Sequence, residues 1–198
     1  MAGPHENLEH AEHVEHASHG GNKKIALLIS VLALFLAFSE TLGKSAQTAG
    51  IADNIKASDT WNFFQAKTIR QTTLRIAADG LATQTATVTN DEAKAALVRQ
   101  IEAWRGTAAR YESDPKEKDG RKELRALAEK YEHDRDTSMA RYHHYEFASA
   151  AFQIGIVLAS ATVITGMIIL AYLAIGLGVA GIGFTAIGFF IPHAVHLF

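Results

Sequence analysis

The feature that most constrains this chain is its C-terminal quarter, which carries no charged side chain. From Phe147 to Phe198 the sequence has 52 residues and no Asp, Glu, Lys or Arg. A transmembrane helix needs about 20 apolar residues, so this segment is too long for one span and predicts two. A further apolar run, from Ile25 to Leu42, lies near the other end. The sequence therefore predicts an all-α integral membrane protein with three transmembrane helices.

Charged residues are concentrated in the middle of the chain. Of the 19 Lys and Arg residues, 17 lie between Lys44 and Arg141, and 16 acidic residues lie between Asp53 and Glu146. The middle segment is therefore nearly neutral, which argues against nucleic acid as a partner because binding phosphate requires an excess of positive charge. The chain contains no Cys, so disulfides and thiolate chemistry are excluded.

These patterns divide the chain into four segments. They are a polar tail rich in His and Glu at residues 1–22, a first transmembrane helix at 23–43, a charged helical segment at 44–146 and a transmembrane helical hairpin at 147–198. We expect the charged segment to fold back on itself outside the membrane as a helical hairpin, or stalk.

The first span begins after Lys23 and Lys24 and extends to Gly43, a length of about 28 Å that is just enough to cross a bilayer. A signal peptide would also combine a basic start with an apolar run. No small-residue cleavage site follows this one, which favours a retained anchor. Glu40 and Lys44 are four residues apart in the favourable order, so we expect them to form an ion pair.

Small residues suggest how the C-terminal hairpin packs and turns. Ala151, Gly155 and Ala159 are four residues apart, a spacing that predicts close approach of helix backbones in lipid. We expect the second span to run from Ala148 to Ala171, a reversal at Gly176 and Gly178, and a return span over residues 179–197. The run from Gly176 to Gly181 also spells a dinucleotide fingerprint. A nucleotide site requires a soluble strand and helix around it, so we expect no nucleotide here.

Helix signals in the charged segment predict its main boundaries. The sequence has no strong helix breaker from the first span to Gly80, so α-helix is expected to continue to about Ala78. The Thr-rich residues 81–90 predict a loop, and Thr89 with Glu92 predicts a capping box for the next helix. Residues 113–115 (SDP) predict the end of that helix, and the following one is expected to begin near Arg121.

Two sets of apolar residues could pack the stalk. On its first helix we expect contacts from Ile51, Ile55, Trp61, Phe63, Phe64, Ile69 and Ile76. On the second helix five residues follow one another at intervals of four, three, four and three positions, which is the spacing of a coiled-coil seam. This second set contains Leu97, Ile101, Trp104, Ala108 and Tyr111. Two heptads are short, so a helix with a packed stripe is the safer prediction than a coiled coil.

The polar tail offers the one candidate metal site. Glu–His pairs repeat every three residues, and the imidazoles that could share one edge are those of His10, His13, His16 and His19. Clustered neutral imidazoles bind zinc, copper or nickel. The same tail could instead respond to pH near 6.5, or be a solvated segment with incidental metal affinity. Apart from a metal on this tail, we expect no cofactor.

Basic residues near the spans give an expected orientation. Lys23 and Lys24 lie on one side of the first span, whereas the other side has Lys44, Lys56, Arg135 and Arg141. Lys and Arg residues are thus more numerous on the side of the first span that carries residues 44–146, which favours a cytoplasmic location for that segment.

Three stretches of sequence resemble a bacterial membrane-protein family known as domain of unknown function 4337 (DUF4337). They are Ile55 to Arg70 (IKASDTWNFFQAKTIR), Arg141 to Phe147 (RYHHYEF) and Phe152 to Gly166 (FQIGIVLASATVITG). The family's Glu/His-rich start is also similar. The resemblance implies three membrane helices and a helical middle region, and it implies no activity. We expect the membrane to be the bacterial inner membrane.

The expected function is a structural or interaction role, as a membrane-anchored scaffold or accessory subunit. No Ser lies in a nucleophile elbow, so we do not expect an enzyme. A stalk with apolar stripes favours self-association, or docking to a larger membrane complex. The alternative is a homo-oligomeric channel or metal-related transporter whose His-rich tail loads the ion.

Overall fold

The computed structural model describes the backbone of residues 4–194 and the side chains of residues 23–194. In this part of the chain there are four helices and no strand: α1 (Pro4–Thr85), α2 (Asp91–Glu112), α3 (Arg121–Thr165) and α4 (Ile168–Phe190). The predicted all-α fold is therefore confirmed. Three helices (α1, α3 and α4) contain a stretch long and apolar enough to cross a membrane.

The chain forms two compact units. Residues up to Ala49 and from Thr137 onwards make one unit, which we call the apolar unit. Residues Gly50–Asp136 make the other, which we call the charged unit. Helices α1 and α3 contribute residues to both units, α2 lies within the charged unit, and α4 lies within the apolar unit.

The predicted helix boundaries of the charged unit are partly wrong. Helix α1 passes through Gly80 and ends at Thr85, beyond the expected end at Ala78. Ala78 is fully buried, and packing of this kind outweighs the cost of about 1 kcal/mol for an internal glycine. The N-cap of α2 is Asn90, whose Oδ1 accepts a hydrogen bond from Ala93 N at 2.9 Å, so the expected Thr89 capping box is wrong.

The turn between α2 and α3 is closed by the side chain of Glu123. Helix α2 ends at Glu112 and α3 begins at Arg121, as predicted. Ser113 Oγ donates to Glu123 Oε1 at 2.7 Å, and Asp114 N donates to Glu123 Oε2 at 3.2 Å. A Cβ on Gly120 would lie 2.5 Å from Asp114 N, so the turn has room there for glycine only.

The core of the apolar unit lies where α1, α3 and α4 meet. Its buried members are Leu32, Ala148, Phe152, Ala159 and Ala174. The ring of Phe152 is fully buried and stacks on Phe35, with 5.8 Å between ring centroids. Much of the surface of this unit is apolar: Leu27, Val157, Tyr172 and Phe190, for example, are all more than 60% exposed.

The reversal between α3 and α4 lies earlier than predicted. Helix α3 ends at Thr165, Gly166 adopts a φ of 72°, and α4 begins at Ile168. A left-handed conformation at a helix end favours glycine, which has no Cβ to clash. The expected second span to Ala171 and the expected turn at Gly176 and Gly178 are therefore wrong, because both of those glycines lie inside α4.

Candidate functional site

The predicted stripe on α2 is packed within the charged unit. Ile101 and Ala108 are buried, whereas Leu97, Trp104 and Tyr111 are half-buried. Helix α1 supplies contacts to two of them: Gln71 Nε2 donates to Ala108 O at 3.0 Å, and Lys67 Nζ lies 4.9 Å from the centre of the Tyr111 ring. The stripe therefore joins two helices of one chain.

A second stripe, on α1, is exposed along its whole length. We call it the α1 seam. Its spacings alternate between four and three residues, and none of its side chains is charged. The seam consists of Ile51, Ile55, Ser58, Asn62, Gln65, Ile69, Thr72 and Ile76, all of them exposed. The four isoleucines have relative exposures of 54% to 68%, which is unusual for so apolar a side chain.

The α1 seam has heptad spacing, with isoleucine at three of the four places of one heptad position. Ile55, Asn62, Ile69 and Ile76 are seven residues apart and occupy one heptad position. β-branched residues at position a favour two parallel strands, and a single Asn at that position fixes register and oligomer state. The other position holds one isoleucine, Ile51, followed by small or amide side chains.

The seam faces away from the contacts that α1 makes within its own unit. The buried residues of α1 in the charged unit include Ala57, Lys67, Gln71 and Ala78, which lie on the opposite side of the helix. The expectation that the isoleucines of α1 supply its packing contacts is therefore wrong for the four in the seam. Trp61 does pack, because its Nε1 donates to Glu132 Oε1 on α3 at 2.9 Å.

A polar network ties α1 to the end of α2 and the start of α3. Gln71 is 1% exposed, and its Nε2 donates to Glu112 Oε2 at 2.8 Å. Arg121 donates to Thr68 Oγ1 at 2.9 Å, to Gln71 Oε1 at 2.7 Å and to Glu112 Oε2 at 2.8 Å. Lys67, which is 6% exposed, donates to Asp119 Oδ2 at 2.6 Å. These groups satisfy one another, so the network holds helices together.

The network predicts that acid weakens the charged unit. The pKa of Glu112 lies below its ordinary value of 4.5, because Gln71 donates a hydrogen bond to the carboxylate and Arg121 lies beside it. A lowered pKa in the fold means that Glu112 contributes stability above about pH 4.5 and loses it as the pH falls further. We expect the stability difference between the wild type and Glu112→Gln to be largest near pH 7 and to shrink below pH 4.5.

Tryptophan fluorescence in denaturant titrations measures this difference. Both tryptophans of the chain, Trp61 and Trp104, lie in the charged unit, so their signal reports on that unit. Asp59→Asn, at an exposed position of α1, is the matched control for the removal of one carboxylate. A constant difference between pH 3 and pH 7 would contradict the assignment.

The apolar unit has an open cavity between α1 and α3, which we call the edge cavity. It measures about 460 Å³, and its polar lining includes Ser39, Glu40, Lys44, Tyr142, Glu146 and Gln153. Ser39 is fully buried and donates to Tyr145 O at 3.1 Å. Glu40 Oε1 accepts from Gln153 Nε2 at 3.2 Å, and the expected ion pair with Lys44 is not formed among the side chains that the structure describes.

Small residues bring the three helices of the apolar unit close together. Of the predicted packing residues, Gly155 and Ala159 are buried and Ala151 is half-buried. A Cβ on Gly155 would lie 3.3 Å from both Ala174 O and Leu32 Cδ1, so this glycine contacts α4 and α1. Sequence spacing on α3 pointed to these residues. It missed Gly178 and Gly181 of α4, where a Cβ would lie 2.8 Å from Leu32 and 2.7 Å from Phe152.

The predicted metal site lies outside the described side chains. His10, His13, His16 and His19 precede Lys23, where the description of side chains begins. From Lys23 to Ala194 the structure has no group of three or more His, Cys, Asp or Glu residues placed to bind a metal ion.

Comparison with known proteins places the chain in a family. The family described as a domain of unknown function (DUF4337) matches residues 21–191. No curated protein and no solved structure matches the chain. The match covers both units and most of the sequence, so the predicted resemblance is confirmed and the chain belongs to the DUF4337 family.

Proposed function

We propose that this protein is a membrane-anchored structural subunit that assembles with further copies of itself through the α1 seam. The observation that carries the proposal is the seam itself, an uncharged heptad stripe with four exposed isoleucines over about 38 Å of helix. Exposed large apolar side chains that recur along one face of a helix are typical of binding surfaces. Self-association suits the seam because identical stripes without charge bring no like charges together.

The apolar unit is the proposed anchor. Its three helices are long and apolar enough to cross a membrane, and their exposed side chains are mostly large and apolar. We place it in the bacterial inner membrane with the charged unit in the cytoplasm, because Lys and Arg are more numerous around Lys44 and Arg141 than around Lys23. One shared topology orients α1 identically in every copy, as a parallel coiled coil requires.

A structural role agrees better with the polar groups than a catalytic or transport role. The buried polar side chains of the charged unit, Lys67 and Gln71 among them, are engaged in bonds between helices. In the apolar unit the space between the three helices is filled by Leu32 and Phe152, so in the alternative, a homo-oligomeric channel or transporter, the pore would form between copies. A channel or transporter that forms between copies is the alternative proposal.

Disulfide trapping in native membranes tests the proposal. The chain has no Cys, so single substitutions give an unambiguous signal. We expect Ile69→Cys to form a disulfide-linked dimer under mild oxidation, because seam residues of two copies would meet within the distance that a disulfide spans. Arg70→Cys is the matched control, since Arg70 is exposed on the same turn but lies outside the seam. Equal trapping at both positions, or none at Ile69, would overturn the proposal.

A further inference from the structure

The edge cavity holds the carboxylates that lie nearest the hydrocarbon in the proposed membrane placement. Glu40 is the one acidic or basic residue between Lys24 and Lys44, and no charged residue follows Glu146 in the sequence. An ionisable residue within an apolar span marks a candidate functional site, and Glu40 lies in the first predicted span. Glu146 directly precedes the predicted transmembrane hairpin. Two such groups on neighbouring helices line one cavity.

The bonds within the chain leave both carboxylates with free acceptor capacity. Glu40 accepts a hydrogen bond from the neutral amide of Gln153. Glu146 lies 3.6 Å from His143 Nδ1 and 3.5 Å from the hydroxyl of Tyr142, and its side chain is 57% exposed. An ionised carboxylate has about four lone-pair positions, so these contacts occupy only part of each group. The carboxylates can therefore bind a cationic donor.

The size and charges of the cavity define the class of that donor. A volume of about 460 Å³ is within the range of small-molecule sites. A primary ammonium donates three hydrogen bonds, which matches two carboxylates and a neighbouring hydroxyl such as Ser149. Lys44, which lines the same cavity, supplies the positive charge that a phosphate requires. Ammonium and phosphate occur together in phosphoethanolamine.

We propose that the edge cavity binds the headgroup of a phospholipid that carries a primary ammonium. The ammonium lies between Glu40 and Glu146, and the phosphate contacts Lys44. This inference rests on the proposed membrane placement of the apolar unit. A lipid suits the cavity because Tyr142 and Tyr145 line it, and tyrosines mark the level of headgroups in membrane proteins. A quaternary ammonium donates no hydrogen bond, so a choline headgroup cannot form these bonds with Glu40 and Glu146.

Native mass spectrometry of the purified full-length protein tests the lipid preference. The probes are phosphatidylethanolamine, phosphatidylcholine and phosphatidylglycerol with identical acyl chains, added at equal concentration. We expect phosphatidylethanolamine to be retained about tenfold more than the other two, which corresponds to about 1.4 kcal/mol. Excess phosphoethanolamine in solution should reduce this retention, because it presents the same headgroup without acyl chains.

Neutral variants identify the groups responsible. The double variant Glu40→Gln and Glu146→Gln keeps side-chain size, and it should bring retention of the three lipids to the same level. Asp59→Asn removes one negative charge from the exposed surface of the charged unit and should retain the preference. Circular dichroism establishes that each variant is folded. Equal retention by the wild type, or an unchanged preference in the double variant, would overturn the inference.

Carbonate extraction of native membranes separates failure of this inference from failure of the membrane placement. A protein released without detergent would overturn the placement and the lipid site together. A protein that stays in the membrane but shows no lipid preference would overturn the lipid site alone. Disulfide trapping at Ile69 should be unaffected by Glu40→Gln and Glu146→Gln.

Discussion

Replacing Gly181 with Leu is expected to lower the thermal stability of the apolar unit, whereas the same change at Gly183 should have little effect. A Cβ on Gly181 would lie 2.7 Å from two ring atoms of Phe152. That ring is fully buried and stacks on Phe35, so a shift of the ring would disturb the core of this unit. Inserting atoms into a packed core costs about 1–3 kcal/mol, and the three further carbons of leucine place this change at the upper end.

Gly183 is a close control because it lies on the same helix, two residues away. A Cβ there would meet no atom within 4 Å, so a leucine would point away from the other helices. Thermal unfolding in detergent, followed by circular dichroism, measures both variants. We expect Gly181→Leu to lower the midpoint by several degrees relative to Gly183→Leu. Equal midpoints would contradict the close contact between α3 and α4.

The contrast between these glycines shows what sequence reasoning could not resolve. The absence of charge after Phe147 predicted two spans, because burying charge in lipid is costly wherever it lies. The position of the turn depends instead on which glycine takes a left-handed conformation. Gly166 does so, whereas Gly176 and Gly178 lie inside α4. The sequence alone does not show which glycine adopts this conformation.

The charged unit shows the same limit for apolar stripes. The sequence has a stripe on α1 and another on α2, both with alternating spacings of three and four. The structure packs Ile101 and Ala108 of α2 against its own chain and leaves Ile55 and Ile69 of α1 exposed. Periodicity predicts that a face is apolar, but the partner of that face is decided by where the other helices lie.

The polar contacts could not be predicted from spacing. Glu40 and Lys44 have the spacing of a helical ion pair, yet Glu40 accepts a hydrogen bond from Gln153, which is distant in sequence. An i, i+4 pair contributes only about 0.2–0.5 kcal/mol, so a well-placed partner on a neighbouring helix replaces it easily. Glu40 and Gln153 both line the edge cavity, and no local motif in the sequence marks that cavity.

Introducing Glu at both Ile55 and Ile69 is expected to dissociate the proposed assembly. Each isoleucine contributes about 1.5–3 kcal/mol when it is fully buried, and each dimer would bury two copies of both. The new carboxylates would also face their own counterparts across the two-fold axis, because identical parallel helices place each residue opposite itself. Both effects act in the same direction, so the dissociation constant should rise by about a hundredfold or more.

Sedimentation of the detergent-solubilised protein over a range of concentrations measures this change. Arg70→Glu is the matched control, because it lowers the net charge by two, as the seam variant does, at an exposed position of α1 that directly follows Ile69. The control introduces the same side chain outside the seam and should associate like the wild type. Both variants should retain the fluorescence of Trp61 and Trp104, since these tryptophans lie outside the seam and report whether the charged unit is folded. If the seam variant associates as strongly as the control, α1 does not join the copies.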